Sequence, residues 1–375
     1  MQLYKLLLVV ILGSSIAASI VLFGDSPSLR GSLIHRARRW ILNSLQSSVS
    51  FYRSVDNRTN GGLTWCLEWS IPVFYVSVIT GCFYLFFTET YLEVLPLNIK
   101  HSIFHNLYIF ATITLVYLST ILVTYTDPGR ISSSTMAHRA STFFPYNDLI
   151  FHPKDCATCK LPKPARSKHC STCGHCIMLY DHHCIWVNNC IGYYNYRWFF
   201  LFLVSNINLL FYGGLLSYWS LVDQFPSTSW WHRITSTTNA NKTTGVFLIL
   251  CSIFVVITSL FTALHLRYLY LGVTTNECDK WSELEYLVEL GTLYKILDKN
   301  FPENYVEKSM VHDKSTDSYL QAYISLRNER ILFVEGDESI PQMEPVISVE
   351  KDLVNIYDLG FWGNVNERLW NVYQI

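Results

Sequence analysis

The chain has 375 residues, of which 50% are apolar, 15% are aromatic and only 15% carry a charge. Soluble domains usually carry about 25% charged residues, so this composition argues against a soluble protein and favours a membrane protein. The net charge of -1 lacks the basic excess that nucleic-acid-binding proteins show, and no nucleic acid is expected as a partner.

Five apolar runs are long enough for transmembrane helices, since a bilayer core needs about 20 apolar residues. In chain order they are residues 6–23, 71–88, 103–125, 198–221 and 246–273. The first run could instead be a cleaved signal peptide, because Lys5 precedes it and Ala17-Ala18-Ser19 resembles a cleavage site. The arginines that follow it favour a cytosolic loop, and therefore an uncleaved anchor with a lumenal N-terminus.

Counting spans from that anchor predicts four regions along the chain. They are residues 1–125 (three transmembrane helices with a basic cytosolic loop), 126–197 (a cytosolic cysteine-rich domain), 198–273 (two transmembrane helices) and 274–375 (a cytosolic tail). The tail is long enough for a small helical subdomain. Residues 335–350 are polar and acidic, which predicts a flexible linker. The aromatic-rich stretch 355–370 is then expected to dock onto the protein or the membrane surface.

Seven of the eleven cysteines lie between Cys156 and Cys190, where CxxC pairs alternate with histidines. This spacing is typical of zinc ligands rather than disulfides, and it places the segment in a reducing compartment. A structural zinc ion takes four sulfur and nitrogen ligands, so two sites need eight. Six cysteines, His169 and one histidine of the His182-His183 pair would supply them, which leaves over one cysteine and the other histidine of that pair.

Cys184 directly follows Asp181-His182-His183. A histidine can take the proton of a thiol, and a carboxylate can orient that histidine, so the pattern fits a reactive cysteine. Nearby positive charge would also favour the thiolate form. The alternative is that all seven cysteines bind metal, and the residues alone leave both interpretations open.

The cysteine-rich segment resembles that of the DHHC family of protein palmitoyltransferases, with the family's cysteines and histidines at the family's spacing. Flanking motifs match as well, and they are Asp127-Pro128-Gly129, Asn189-Cys190-Ile191-Gly192, Thr274-Thr275-Asn276-Glu277 and the aromatic stretch 355–364. The resemblance implies a polytopic α-helical membrane protein of about five transmembrane helices with a small cytosolic zinc-binding domain. Within the family, the chain is most similar to the fungal endoplasmic-reticulum enzyme that palmitoylates SNARE proteins.

The resemblance also implies roles for individual residues. Two structural zinc ions would be held in interleaved sites, one formed by Cys156, Cys159, His169 and Cys176 and the other by Cys170, Cys173, His183 and Cys190. Cys184 would then be the nucleophile, His182 its base and Asp181 the residue that orients the base.

The implied reaction moves a palmitoyl group from palmitoyl-CoA to Cys184 and then, in a second step, to cysteines beside the membrane anchors of proteins such as SNAREs. The implied location is the endoplasmic-reticulum membrane, with the DHHC domain and the C-terminus cytosolic. Lys163, Arg166 and Lys168 would bind the phosphates of CoA, or alternatively anionic lipid headgroups. Trp186 would lie at the mouth of the acyl cavity, or alternatively be a membrane-interface tryptophan.

Two rival functions are weaker. A zinc-stabilised scaffold explains eight metal ligands but gives no reason for Cys184. A transporter or channel would place ionisable groups inside the spans, which are nearly uncharged apart from His105 and the boundary residues His265 and Arg267. Asp127, Thr275 and Asn364 are expected to be structural, with Thr275 satisfying backbone groups where the last span ends.

Overall fold

The structure is a computed structural model that describes residues 16–26, 29–147, 150–235, 239–291, 293–296, 322–325, 331–333 and 343–370. The chain divides after Ser70 into two units, residues 1–70 and 71–375. Most of the first predicted span, residues 6–15, lies outside the described ranges, as do residues 335–342 of the predicted linker.

The first unit contains a helix in place of the predicted basic loop. Helix α1 spans Leu33–Arg58, and the Ser32 side chain caps it by accepting a hydrogen bond from the backbone N–H of His35. At its other end, Asp56 accepts hydrogen bonds from the backbone N–H and the hydroxyl of Thr64, at 2.8 and 2.6 Å. Thr64 lies in the first turn of α2 (Gly62–Leu85), so one carboxylate joins the two helices.

Four helices of the described chain are long and apolar enough to cross a membrane. They are Gly62–Val94, Ile103–Tyr125, Tyr196–Gln224 and Ala240–Tyr270. The first of them is α2 continued by a π-helical segment, Phe86–Val94; a short α3 (Leu97–Lys100) follows, and α4 is Ile103–Tyr125. Hydrogen bonds between the helices, such as Ser119 to Ser205 at 2.8 Å, satisfy polar groups that lipid could not.

The cysteine-rich domain lies between α4 and α6 and is built from one helix and two small hairpins. The helix is α5 (Ser134–Phe143), and the strands are β1 (Lys168–Cys170), β2 (His175–Ile177), β3 (His182–Cys184) and β4 (Asn189–Ile191), paired β1–β2 and β3–β4, both antiparallel. Asp127 opens a turn ahead of the domain, as its motif predicts, by accepting hydrogen bonds from the backbone N–H groups of Gly129 and Arg130. A Cβ at Gly192 would lie 2.4 Å from the carbonyl oxygen of Pro128, so only glycine lets this turn approach the second hairpin.

Three helices follow the cysteine-rich domain. They are α6 (Tyr196–Gln224), α7 (Trp230–Thr235) and α8 (Asn239–Tyr270). Just after α8, Gly272 has a φ of +65°, and a Cβ there would lie 2.7 Å from the Cα of Asp358. Glycine at this position therefore provides both the left-handed turn that ends the helix and the space for the C-terminal tail.

The tail contains both helices and a sheet. Its helices are α9 (Thr275–Glu289), α10 (Val349–Asp352) and α11 (Gly360–Val365), and a π-helical segment, Asn366–Trp370, follows α11. The strands are β5 (Leu293–Ile296), β6 (Ala322–Ser325), β7 (Ile331–Phe333) and β8 (Met343–Pro345), arranged β7-β6-β5-β8 with only β5 and β6 parallel. The sequence predicted the helical part only, because strands this short leave too little alternation to detect.

The aromatic stretch of the tail docks onto the protein, as predicted. The Tyr357 hydroxyl donates to the carbonyl oxygen of Pro145 at 2.7 Å, and the Asn364 side-chain amide donates to the carbonyl oxygen of Leu269 at 2.9 Å. Both residues are buried. The predicted fold class, a polytopic helical protein with a small cysteine-rich domain, is confirmed.

Candidate active site and metal centres

Strand geometry distributes the candidate metal ligands between two centres. Because successive side chains of a strand point to opposite faces, the neighbours His169 and Cys170 of β1 cannot face the same ion. Pairing places His169 opposite Cys176 in the first hairpin, and His183 opposite Cys190 in the second. Each hairpin therefore contributes one facing histidine–cysteine pair to its own cluster, and Cys170 is directed to the other one.

The first cluster consists of Cys156, Cys159, His169 and Cys176. The His169 Nδ1 atom lies 3.6, 3.3 and 3.9 Å from the three sulfur atoms, in that order. Typical zinc bond lengths in a tetrahedron separate a nitrogen from a sulfur ligand by about 3.6 Å. The donor set and its spacing therefore fit one metal ion.

The second cluster consists of Cys170, Cys173, His183 and Cys190. Here the His183 Nδ1 atom lies 3.7, 3.4 and 3.7 Å from the sulfur atoms. The same tetrahedral spacing applies, so the second set also fits one ion. Both clusters have the composition that the family resemblance implies, and neither uses Cys184.

Asp181, His182 and Cys184 form a connected arrangement beside the second cluster. His182 and Cys184 share one face of β3 while the intervening His183 points to the metal cluster, because side chains alternate along a strand. The His182 Nδ1 atom donates to the Asp181 carboxylate at 2.8 Å, and Cys184 is a further hydrogen-bond neighbour of the ring. A base with an acceptor on one side and a thiol on the other is the arrangement of a nucleophilic triad.

The electrostatics of the pair favour a charged histidine. Burial opposes charge on His182, but hydrogen bonds with Asp181 and Cys184 outweigh it and raise the pKa of His182 to about 9. Burial likewise opposes charge on Asp181, yet the hydrogen bond from His182 lowers the pKa of that carboxyl below its ordinary value. The histidine and the carboxylate thus stabilise each other's charged forms.

Thr275 contacts this site directly, so the prediction that it serves the end of the last span is wrong. Its backbone N–H and its hydroxyl donate to the two oxygens of Asp181, at 3.0 and 2.8 Å. The role at the helix start belongs to Thr274, whose side chain and backbone form a capping box with Glu277. The sequence motif indicated both threonines but could not tell which one caps and which one reaches across.

Arg166 does not fit its predicted role in binding CoA phosphates. Its side chain is 1% exposed, and its guanidinium donates to both carboxylate oxygens of Glu277, at 2.6 and 2.8 Å. Further bonds reach Glu367 at 3.2 Å and the carbonyl oxygen of Gly272 at 3.0 Å. Because its guanidinium donates to these acceptors, Arg166 has a structural role and links the cysteine-rich domain to the tail.

The other predicted CoA contacts lie nearer to solvent. Lys168 is exposed and its ammonium lies 5.4 Å from the centre of the Tyr180 ring. Lys163 is half-buried, and burial together with the charge of Lys154 lowers the pKa of its amine. Trp186 is 49% exposed.

Cys184 lies at one end of an apolar cavity among the membrane-length helices. The cavity has a volume of about 760 Å³ and is lined by residues from α2, α4, α6 and α8, together with Cys184 and Trp186. Cys184 itself is buried and packs in a cluster with Val123 of α4 and Phe199 of α6. The Cys184 sulfur is thus placed between the cysteine-rich domain and the space among the helices.

Asn189 attaches the hairpin of Cys184 to the end of a span. Its side-chain amide donates to the carbonyl oxygens of Val123, Thr124 and Thr126, at 3.1, 3.1 and 2.9 Å. These carbonyls end α4 and lack partners within the helix. Asn189 pairs with Cys184 across the hairpin, so one amide both satisfies a helix end and positions the thiol.

His265 of α8 is a further neighbour that the sequence placed only at a span boundary. It is 1% exposed, and its ring centre lies 5.8 Å from that of His182 and 5.0 Å from that of Phe199. Phe199 contacts the His182 ring from another side, at 5.2 Å. The two side chains enclose the candidate base, and nothing in a local motif could have indicated a residue so distant along the chain.

These features define a class of protein: a helical membrane protein with two candidate metal clusters in a cysteine-rich domain and a triad-like cysteine lining an apolar cavity. Comparison with known proteins agrees. Residues 150–282 match the family described as DHHC palmitoyltransferase.

The chain is also similar over its length to curated fungal proteins named Palmitoyltransferase SWF1. It is 48% identical to the protein from Debaryomyces hansenii, covering 98% of each chain, and 50% identical to that from Candida albicans, covering 98% of this chain and 99% of the relative. The Saccharomyces cerevisiae protein is 30% identical over 80% of this chain and 84% of its own. The chain therefore belongs to the DHHC palmitoyltransferase family, and it is a protein S-palmitoyltransferase.

Proposed function

We propose that Cys184 carries the palmitoyl group as a thioester between palmitoyl-CoA and cysteines of membrane proteins. The observation that supports this most directly is the position of Cys184, which both neighbours His182 and lines the apolar cavity. A covalent carrier divides one difficult transfer, between a soluble donor and a membrane-bound acceptor, into two easier steps.

In the first step, the proton of Cys184 lies on His182, whose charged form Asp181 stabilises, and the Cys184 sulfur attacks the thioester carbonyl carbon of palmitoyl-CoA. A carbon–sulfur bond to Cys184 forms, and the carbon–sulfur bond to CoA breaks. The departing CoA sulfur takes the proton from His182. Asp181 keeps the His182 ring oriented through its 2.8 Å bond to Nδ1, and Thr275 in turn holds Asp181.

In the second step, a substrate cysteine gives its proton to His182 and attacks the Cys184 thioester. The new thioester forms on the substrate, and Cys184 leaves as a thiolate beside protonated His182. The same base therefore serves both half-reactions, because each is the attack of one thiol on a thioester with the departure of another.

The apolar cavity would hold the acyl chain during both steps. Each buried methylene contributes about 0.8 kcal/mol, so a long chain gains most from a deep cavity. Trp186 lines the cavity beside Cys184, and we assign it to the mouth, where an indole can contact both acyl chain and interface.

Zinc is the ion we propose for both metal clusters, since three thiolates and one imidazole are typical structural zinc ligands. When bound, the ions would hold the two hairpins in place. Closed tetrahedra leave no open position for chemistry, so the reactive thiol belongs outside them.

We propose that Lys168 and Lys163 bind the CoA phosphates and that Arg166 does not. Lys168 is exposed on β1, in the same domain as the active site. An exposed ammonium can reach a phosphate without losing an existing carboxylate partner, unlike the buried Arg166 guanidinium.

The proposed substrates and location rest on the resemblance of the sequence motifs to the fungal enzyme of this family. We propose that the chain acts on SNAREs in the endoplasmic-reticulum membrane, with the cysteine-rich domain and tail facing the cytosol. Cysteines beside a membrane anchor would lie at the depth of Cys184, which adjoins the end of α4.

Replacement of Cys184 by serine should abolish acylation of the enzyme. Purified wild type incubated with radiolabelled palmitoyl-CoA is expected to take up label that hydroxylamine removes, whereas Cys184→Ser takes up none and keeps its zinc. Cys278→Ser, a change at a half-buried cysteine outside both clusters, is the matched control and should label normally. Equal labelling of wild type and Cys184→Ser would place acylation elsewhere, and labelling of neither protein with zinc intact would favour the scaffold.

Replacement of Thr275 by valine should slow transfer without weakening acyl-CoA binding. Loss of a hydrogen bond to a charged group costs about 1.5–3 kcal/mol, which corresponds to roughly a tenfold or greater fall in the rate at saturating palmitoyl-CoA. Thr275→Ser keeps the hydroxyl and should restore the rate. If valine and serine variants react alike, Thr275 does not act through Asp181.

Arg166 and Lys168 should respond in opposite ways to loss of charge. Arg166→Gln breaks a buried ion pair and should destabilise the protein by about 3 kcal/mol or more in a thermal unfolding assay. Lys168→Gln should leave stability unchanged and raise KM for palmitoyl-CoA roughly twofold to fivefold, as expected for one exposed ion pair. An unchanged KM for Lys168→Gln would remove that residue from the CoA site.

Cells in which Cys184→Ser replaces the wild type should lose palmitoylation of SNAREs. Proteomic measurement of S-acylated peptides compares the two strains, and an endoplasmic-reticulum marker tests the location of the tagged protein. Unaltered SNARE acylation would refute the substrate proposal while leaving the labelling result on the purified enzyme in force.

A further inference from the structure

Helix α1, Leu33–Arg58, is amphipathic, and none of its residues belongs to the candidate active site. At about 100° per residue, Leu33, Trp40 and Phe51 fall within about 20° of one another, and together they form what we call the aromatic stripe. Residues on the polar side of the same helix include Arg39 and Arg53. The helix carries five arginines and one aspartate, whereas the whole chain has a net charge of -1.

The aromatic stripe is exposed. Leu33, Trp40 and Phe51 are 80%, 71% and 72% accessible, and α1, which the structure describes in full, has no buried residue. Large apolar side chains aligned and exposed on a helix mark an interaction surface rather than ordinary surface scatter. The stripe therefore lacks the partner that its composition requires.

The N-terminal end of α1 is tied to an apolar segment. The helical stretch 16–23 ends just before Gly24, whose carbonyl oxygen lies 3.1 Å from His35 Nδ1. The Arg38 side chain donates to the carbonyl oxygen of Val21 at 3.0 Å and pairs with Asp25 at 3.4 Å. These contacts hold the start of α1 against the end of the apolar segment.

The C-terminal end of α1 is tied to a membrane-length helix. Asp56 holds Thr64, which lies in the first turn of the helix Gly62–Val94. The end of a membrane-length helix lies at a membrane surface. With its 26 residues, α1 therefore extends about 39 Å from that surface position, and its other end adjoins a second apolar segment.

We propose that α1 lies in the membrane–water interface, with the aromatic stripe among the acyl chains and Arg36, Arg39 and Arg53 against anionic lipid headgroups. Basic helices with tryptophan, phenylalanine and leucine on one side bind membrane surfaces in this way. A second copy of the chain fits less well, since symmetric pairing would bring the same arginine-rich helix against itself. Anionic lipid complements the charge, and both ends of the helix adjoin apolar segments.

Fluorescence of the full-length protein in nanodiscs tests the depth of the aromatic stripe. An environment-sensitive fluorescent amino acid replaces Phe51 in one variant and Gln46, exposed on the polar side, in a matched control. With lipids brominated near the headgroup, emission from position 51 should be blue-shifted and quenched at least about twofold more than emission from position 46. Equal quenching at the two positions overturns the proposal.

A second experiment varies the charge of the lipid. Adding phosphatidylserine to phosphatidylcholine nanodiscs should increase quenching at position 51, and Arg36→Gln with Arg53→Gln should remove that increase. The control pair, Arg130→Gln with Arg139→Gln, changes two exposed arginines of the second unit and should keep it. If the increase in quenching persists in Arg36→Gln with Arg53→Gln, the contact with anionic lipid is refuted. If emission from position 51 is blue-shifted but not quenched, and the blue shift grows with the number of protein copies per nanodisc, the stripe packs against a second copy instead.

Discussion

The buried ion pair between Arg166 and Glu277 is the interaction on which the active-site geometry depends. Arg166 belongs to the cysteine-rich domain and Glu277 to the first turn of α9, and their side chains are both 1% exposed. Glu277 is also the acidic member of the capping box that starts this helix. One carboxylate thereby fixes both where α9 begins and where it lies against the cysteine-rich domain.

A continuous set of contacts leads from this pair to the thiol. The capping box sets the backbone of Thr274, and the next residue, Thr275, holds both oxygens of Asp181. Asp181 orients His182, which neighbours Cys184. Because a buried carboxylate is stable only when its oxygens are satisfied, the tail helix contributes to the active site even though it lies about ninety residues further along the chain.

The hairpin β3–β4 directs the candidate metal ligands and the proposed catalytic residues to opposite faces. Three successive residues, His182, His183 and Cys184, have alternating directions because they form a strand. His183 faces the cysteines of the second cluster, while His182 and Cys184 face Asp181 and the cavity. An ion held by His183 would thus also fix the neighbouring His182, while Cys184 belongs to neither cluster.

The family resemblance assigned eight residues to two metal sites, whereas the residues themselves determined the membrane class, the approximate positions of four described spans, a cysteine-rich segment with enough ligands for two ions, and the position of Cys184 after Asp181-His182-His183. These features are local: they rest on apolar run length and on CxxC and histidine spacing, which physical chemistry links directly to lipid and metal. The amphipathic character of α1 is equally local, although the five arginines were interpreted only as a topology signal.

Only the tertiary structure decided which basic and polar side chains serve the site. The sequence predicted Arg166 as a phosphate ligand because its carboxylate partners, Glu277 and Glu367, are far away in the chain and cannot be recognised from it. Thr275 looked like a helix-end residue because its acceptor, Asp181, is 94 positions earlier. His265 is a neighbour of the site only because α8 packs beside α6. Burial and pairing across such distances depend on how the helices and hairpins pack, and no local pattern contains that information.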